Sequence, residues 1–341
     1  MPFLRRIPVA ALLTCALGSC TTFHSTPGGP NTPGTLKKRM AQHQTVLQQT
    51  IGPRSPKEPK SMEAAARYIE NNFSDMGYAV TLQPVSGAAG SKNGAICNII
   101  VYKPGLYADN KSIVIGANYD SNGRINDGSG AALLMETARE LKDIPTNHNI
   151  YFVAYANGAD SAAPAVSSGA GRHAKALSEQ IGPAHILGMV NLEPCHTATE
   201  GAPGHAVQPA VLFMTTPRGQ EFAGRCAVPF SKSWKNQPST VSRGASAIGG
   251  NDRHYAAMDI PTLACQCDGA DDGKMDDYVQ ALTDMVHEMA DIKADSAAPS
   301  PANAALPTPV QANKPAPPGQ SSKASSHPNI AASEKTSATD R

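Results

Sequence analysis

The side chains able to do chemistry in this 341-residue chain cluster at the ends of short apolar runs. Asn118 and Asp120 close the run SIVIGANYD, and Asn126 and Asp127 precede Ser129-Gly130. Glu193 follows ILGMVNL, and Asp252 and His254 fall within GGNDRHYAAMDIPTL. Carboxylates and amides are hard oxygen donors, so Asn118, Asp127, Glu193 and Asp252 form a set suited to calcium or magnesium. A zinc ion asks for three or four good nitrogen, sulfur or carboxylate ligands, and an asparagine carbonyl is a neutral, weak substitute for imidazole.

Other chemistry is thinner. Cys195 and His196 are adjacent, so on a strand they point to opposite faces and cannot pair as nucleophile and base. The pair reads more simply as a buried thiol beside an exposed ring. His173, next to Arg172 on a helical stretch, reads as part of a solvated face. Gly-Ala-Ser-Ala-Ile-Gly-Gly at 244–250 lacks the preceding strand and the following Lys-Ser/Thr of a phosphate cradle, and reads as a flexible loop.

These groups need a scaffold, and the middle of the chain supplies one. SMEAAARYIENNFSDMGY places Met62, Ala65, Ile69, Phe73 and Met76 on one helical face, with Gly77 as its stop. CNIIVY (97–102), SIVIGA (112–117), NIYFVAY (149–155) and ILGMVNL (186–192) are continuous apolar runs, as expected of strands buried on both faces. GSGAALLMETARELKD repeats Leu133, Leu134, Thr137, Ala138 and Leu141 at helical spacing. GRHAKALSEQIG adds another helix, and DDYVQALTDMVHEM closes the domain with Tyr278, Leu282, Met285 and Met289 on one face. Alternating strands and helices predict an α/β fold, a mainly parallel sheet covered on both sides. Ligands in such sheets lie beyond the carboxyl ends of the strands, so the loops after Ala117, Tyr155 and Leu192 are expected to converge.

The flanks are of another kind. Arg5 and Arg6 precede an apolar run from Ile7 to Leu17, too short to span a membrane as a mature helix, which reads as an export signal. Leu17-Gly18-Ser19-Cys20 resembles a bacterial lipobox, which implies lipidation of Cys20 and a bacterial cell-envelope location. Thr21 follows the cysteine with no Asp beside it, which implies the outer membrane. The expected organisation is a signal at 1–19, a flexible Pro/Gly tether at 20–34, a domain at 35–294 and a disordered Ala/Pro/Ser-rich tail at 295–341. No internal repeat is present. The formal net charge of +1 argues against a nucleic-acid partner, and 40% apolar content can bury a sizeable core. The body carries Cys97, Cys195, Cys226, Cys265 and Cys267, an odd number in an oxidising compartment. That allows one disulfide, whose partners the sequence does not identify; Cys265 and Cys267 are too closely spaced for an easy bridge.

From about Leu36 to Ile292 the chain resembles the exported zinc aminopeptidases, a family that also contains plasma glutamate carboxypeptidases and glutaminyl cyclases. IGPRSPKEPKSMEAAARYIENNFSDMGYAV resembles the family's N-terminal helix pair, and CNIIVYKPG its edge strand. Its first metal motif is written GAHYDS, with the histidine as zinc ligand and the Asp orienting it from behind. This chain has Gly116-Ala117-Asn118-Tyr119-Asp120-Ser121. The bridging aspartate of D-x-x-S-G falls on Asn126, with Asp127 one residue late as a possible substitute. The Glu-Glu pair after FVAY, general base and ligand, falls on Gly158 and Ala159. Glu193 fits the acidic ligand after LGMVNL. The last histidine, nine residues before Pro261, falls on Asp252, with His254 two residues away as another substitute.

The resemblance implies a three-layer zinc-exopeptidase-like fold, of the phosphorylase/hydrolase-like kind, in which Glu193 is the only intact ligand type. Losing a general base alone costs ~10²–10⁴ in rate, and here base and ligands change together. No cofactor is therefore expected: zinc is absent on this reading, and calcium or magnesium is the remaining candidate. The expected function is that of a membrane-anchored pseudo-peptidase binding a peptide or an envelope protein. The alternative is an active hydrolase with a remodelled metal site, and a third reading is a purely structural envelope lipoprotein.

Overall fold

A computed structural model describes residues 35–85, 96–121, 128–158, 165, 167–195, 210–235, 238–242, 250–268 and 272–292. The stretches expected to be an export signal, a tether and a tail, with Cys20, lie outside these residues. No helix among the described residues is long and apolar enough to cross a membrane.

Eight strands form one sheet: β1 (Val80–Pro84), β2 (Cys97–Lys103), β3 (Ser112–Asn118), β4 (Asn149–Tyr155), β5 (Ile186–Leu192), β6 (Ala210–Thr215), β7 (Ser239–Ser242) and β8 (Thr262–Asp268), in the order β1-β2-β4-β3-β5-β8-β6-β7. The central four, β4, β3, β5 and β8, run parallel, while β2 and β6 join them antiparallel. All four apolar runs are strands, and the α/β, three-layer expectation holds. CNIIVYK is not the edge, however. It lies between β1 and β4, and the half-polar β1 covers its outer side, which explains how Ile99, Ile100 and Val101 all escape water.

Strand pleating sorts these side chains into two layers. Ile150, Phe152 and Ala154 of β4 face a core shared with α1 (Thr35–Gln44), α2 (Pro59–Asp75), α3 (Ser129–Leu141), α5 (Gln220–Trp234) and α7 (Asp272–Ala290). Tyr151, Val153 and Tyr155 face the other way, onto α4 (Gly169–Ile181) and the short α6 (Asp252–Ala256). A π-helical turn, Thr45–Ile51, continues α1. Helix α2 buries Met62, Ala65, Ile69 and Phe73 along one face, as the helical spacing predicts.

The layer of five helices encloses a charge network that the apolar pattern hides. Glu136 of α3 is fully buried; it accepts from Arg39 Nε at 2.6 Å and from Arg139 Nε at 3.2 Å. His43 spans the gap between Glu136 Oε1 (2.9 Å, from Nε2) and the Tyr68 hydroxyl (2.7 Å, at Nδ1). Burial alone would raise the Glu136 carboxyl, but the His43 hydrogen bond and the charges of His43, Arg139 and Arg39 outweigh it and hold the group at about 2. Through this network α1 is fastened to α3 and α2.

Candidate functional site

The carboxyl ends of β3, β4 and β5 meet at one rim. Tyr119 N donates to Tyr155 O at 3.1 Å and Glu193 N to Cys265 O at 3.0 Å, so the sheet pairing runs just past the strand ends. Asn118 is the last residue of β3, and Gly158 N donates to Asp120 Oδ1 at 3.2 Å. A Cβ added at Gly158 would lie 1.9 Å from Asn118 Oδ1 and 2.6 Å from its Cγ. The Asn118 amide thus fills the space where any side chain at 158 would begin. Its Oδ1 is buried and has no hydrogen-bond partner among the described residues.

A second group lies beside the end of β5. Asn191 Nδ2 donates to Glu193 Oε1 at 2.5 Å, and Asn251 Nδ2 to Asn191 Oδ1 at 2.9 Å. The chain reaches Asp252 through Gly250 in the left-handed region, φ +93°, a conformation glycine adopts at little cost. A Cβ there would lie 3.0 Å from Glu193 Oε1 and 3.2 Å from Asp252 Oδ1, so the two carboxylates flank one small space. Asp252 is 1% exposed and its Oδ1 has no partner among the described residues. Burial, and then the charge of Glu193, push its carboxyl up to about 7.

Buried hydrogen bonds support this rim from beneath. Arg54, buried in the turn before α2, donates from Nε to Tyr119 O at 2.7 Å and from Nη1 to Gly52 O at 2.8 Å, while its own carbonyl accepts from Ser121 N at 2.5 Å. On the opposite face Tyr155 packs over Gly116, where a Cβ would stand 2.1 Å from the ring. Its hydroxyl meets that of Tyr255 at 2.8 Å, and Tyr255 meets His173 Nδ1 at 2.5 Å.

The last contact overturns the solvated reading of His173. The residue is 2% exposed, and burial depresses its pKa to about 3, so the ring is neutral. The reason lies in its spacing: Ala170, His173, Ala174 and Leu177 form the face of α4 that packs on the sheet. His254, the possible substitute ligand, accepts from Arg253 Nε at 3.2 Å on Nε2 and is 8% exposed; burial, and then the Arg253 charge, lower it to about 4. Asn126, Asp127, Ala159, His196 and residues 243–249 lie outside the described residues. Cys195 is buried, and all five body cysteines are free thiols.

Among the described residues no group of three or more His, Cys, Asp and Glu is placed to hold a metal ion. Asn118, Gly158, Glu193 and Asp252 bring two carboxylates and no imidazole, so they do not fit a zinc ion. Glu193 and Asp252 border one small space, and the Arg253 charge and two backbone N–H groups only partly offset the burial of the Asp252 carboxyl.

No protein-family model matches the chain. An uncharacterized Escherichia coli protein, YfbL, is 28% identical over 189 residues, which are 52% of this chain and 55% of that protein. The chain thus spans about half the length of this curated relative. The zinc aminopeptidase BSAP of Bacillus subtilis superposes with a TM-score of 0.58 at 12% identity, covering 75% of this chain and 97% of that one. The Aneurinibacillus sp. strain AM-1 aminopeptidase gives 0.57 at 16% identity over 74% of this chain and 94% of its own. LapA aminopeptidase of Legionella pneumophila gives 0.57 at 14% identity, covering 75% of this chain and 72% of that one. The architecture of this chain is therefore the fold of the zinc aminopeptidases.

Proposed function

We propose that the chain is a membrane-anchored lipoprotein that keeps the aminopeptidase fold without a working zinc centre and uses the old cleft to bind a peptide or an envelope protein. One observation carries this reading: the Asn118 amide stands in the volume that a side chain at 158 would need. On the motif register residue 158 is the general base and residue 118 a zinc ligand. A neutral amide packed against a glycine supplies neither function, and it blocks a simple return of the base. The anchor is the thioether-linked lipid of Cys20; one acyl chain binds a membrane only marginally, so several chains on this cysteine are implied.

The full chain, purified without added zinc, is expected to contain far less than one zinc per molecule and to show no chelator-sensitive cleavage of amino-acid amides. One or two zincs per chain together with such cleavage overturns the proposal. Cys20→Ser should move the protein from the membrane fraction to the soluble fraction, and unchanged membrane association removes the anchor from it. Saturable binding of short peptides without cleavage, read by calorimetry, supports the binding role; no binding by any of a broad panel leaves the structural envelope role.

A second reading, a remodelled metal site, draws on Asp252 Oδ1, which is buried and unpartnered beside Glu193. Calcium or magnesium suits two carboxylates and an amide oxygen better than zinc does. The same elemental analysis, run on protein prepared with each cation, separates the two readings.

A further inference from the structure

Helix α6 begins at Asp252, yet at five residues it is too short to hold itself together. It has no side-chain N-cap, and the backbone enters the left-handed region on either side, at Gly250 (φ +93°) and Asp259 (φ +67°). Its place is therefore set by what its side chains touch. At the rim, Asn251 is held by Asn191, and Asn191 by Glu193. At the other end, Tyr255 is wholly buried against the sheet and α4. Its carbonyl accepts from Met258 N at 2.9 Å and from Ile260 N at 3.2 Å, closing the turn that leads to β8.

The Tyr255 hydroxyl lies between the Tyr155 hydroxyl, at 2.8 Å, and His173 Nδ1, at 2.5 Å. The His173 ring is neutral and can accept at Nδ1. If Tyr155 donates to Tyr255 and Tyr255 to His173, each hydroxyl proton of the chain has an acceptor; in the opposite direction the Tyr155 proton has none among these three groups. Tyr155 in turn is seated over Gly116, where a Cβ would meet its ring at 2.1 Å. Gly116 stands two residues before Asn118, and Tyr155 three before Gly158. One hydroxyl thus joins α4, and the helix that bears Asp252, to the two strands that deliver Asn118 and Gly158.

We propose that Tyr255 is the positioning residue of the rim: its hydroxyl, held between His173 and Tyr155, fixes α6 and with it the placement of Asp252 beside Glu193. All three side chains are buried. Away from water, a displacement of α6 leaves a histidine nitrogen and a tyrosine proton without partners, so the short helix has one favoured seat. The inference holds whether the rim takes a peptide or a divalent cation, so its failure leaves the proposed function standing.

Tyr255→Phe keeps the ring and removes the oxygen. It should lower the melting temperature by on the order of 5–10 °C, because two buried polar groups lose their partner. Any buried hydrogen bond could show such a loss, so the deciding readout is at the rim. In nitrogen–proton correlation spectra of the full chain, the side-chain amide signals of Asn191 and Asn251 are expected to move, and backbone amide exchange across 251–258 to rise about tenfold relative to β4. Tyr155→Phe breaks one bond of the chain and leaves Tyr255 with His173, so it should move the same signals less. Tyr68→Phe removes a buried hydroxyl bonded to His43 at 2.7 Å, far from α6 in the chain, and should leave them in place. Unmoved Asn191 and Asn251 signals in folded Tyr255→Phe overturn the proposal, as does an equal displacement in Tyr68→Phe. If Tyr255→Phe does not fold, Tyr155→Phe decides by the same signals: their displacement upholds the proposal and their constancy sinks it.

Discussion

Glu136 and Asp252 are both carboxylic acids almost wholly removed from water, 0% and 1% exposed, yet their environments drive them in opposite directions. Glu136 is surrounded by Arg39, Arg139 and His43 and is held near 2, whereas Asp252 faces the carboxylate of Glu193 and is raised to about 7. A buried charge is tolerable when counter-charges and hydrogen bonds replace the water it has lost. The first cluster meets that condition with side chains of its own elements. The second meets it only in part: backbone N–H groups and the Arg253 charge favour the ionised form, and burial and the charge of Glu193 outweigh them. The contrast separates a buried acid whose counter-charges outweigh its desolvation from one whose desolvation and like-charged neighbour outweigh its counter-charge.

The comparison is sharpened most by removing Glu136. Glu136→Ala leaves His43 buried without its acid and Arg39 with Glu140 alone (3.1 Å), and breaking a buried pair from one side costs about 3–5 kcal/mol. Urea unfolding should show a loss of that size. The wild-type contribution has a defined pH dependence: the folded group sits near 2 and the model value is 4.5, so its stabilisation is present above about 4.5 and is lost as pH falls toward 2. A loss below about 1 kcal/mol would mean that the network is a surface-like pairing of little consequence.

Asp252 should behave in the reverse sense. Its folded value of about 7 lies above the model value of 3.8, so its contribution is greatest below about 4 and is lost as pH rises through 7. Asp252→Asn removes the charge and is expected to stabilise the protein at pH 8 by about 2 kcal/mol, with little effect at pH 4. A variant that is destabilised at pH 8 would break the comparison, because it would show that the charge of Asp252 has a partner. Calcium or magnesium that raises the melting temperature of the wild type but not of the variant would identify that partner.

Legibility in the sequence follows the same division. The strands of the central sheet were readable because layers of helices on both faces demand continuous apolar runs, and β4 meets that demand at all seven positions. Strand β7, STVS, is exposed throughout and at the sheet edge, so no burial pattern marks it. Strand β8 carries Gln266 between two cysteines, and its apolar signal is broken there. Among the site residues, order along the chain suffices to bring Asn118, Gly158 and Glu193 to one rim, since each follows a strand of the same parallel set. The packing of Asn118 into the space beside Gly158 has no such signal, because it depends on a side-chain rotamer. The solvated reading of His173 fails although the sequence carries a signal against it: the residue falls in the Ala170, Ala174, Leu177 stripe, which outweighs its neighbour Arg172. Glu136 lay hidden for a related reason, since helix α3 is buried on nearly every side and its amphipathic pattern is weak.

The smallest expected effect tests the closure of the site itself. In Gly158→Ala the new Cβ would meet Asn118 Oδ1 at 1.9 Å, so the amide must swing away. That displacement breaks no hydrogen bond at Oδ1, which has no partner among the described residues, so the cost is that of a shifted rotamer and local repacking, about 1 kcal/mol. Asn118→Ala alone should cost little, because it removes an oxygen that was buried without a partner. The double variant should be about as stable as Asn118→Ala, because the alanine at 158 then enters empty space, and the double-mutant cycle should return a coupling of about 1 kcal/mol. Additive effects of the two substitutions would mean that Asn118 does not occupy the space beside 158 in solution. The observation that carries the proposed function would fall with it, whereas the coupled result would show that glycine at 158 and asparagine at 118 depend on each other.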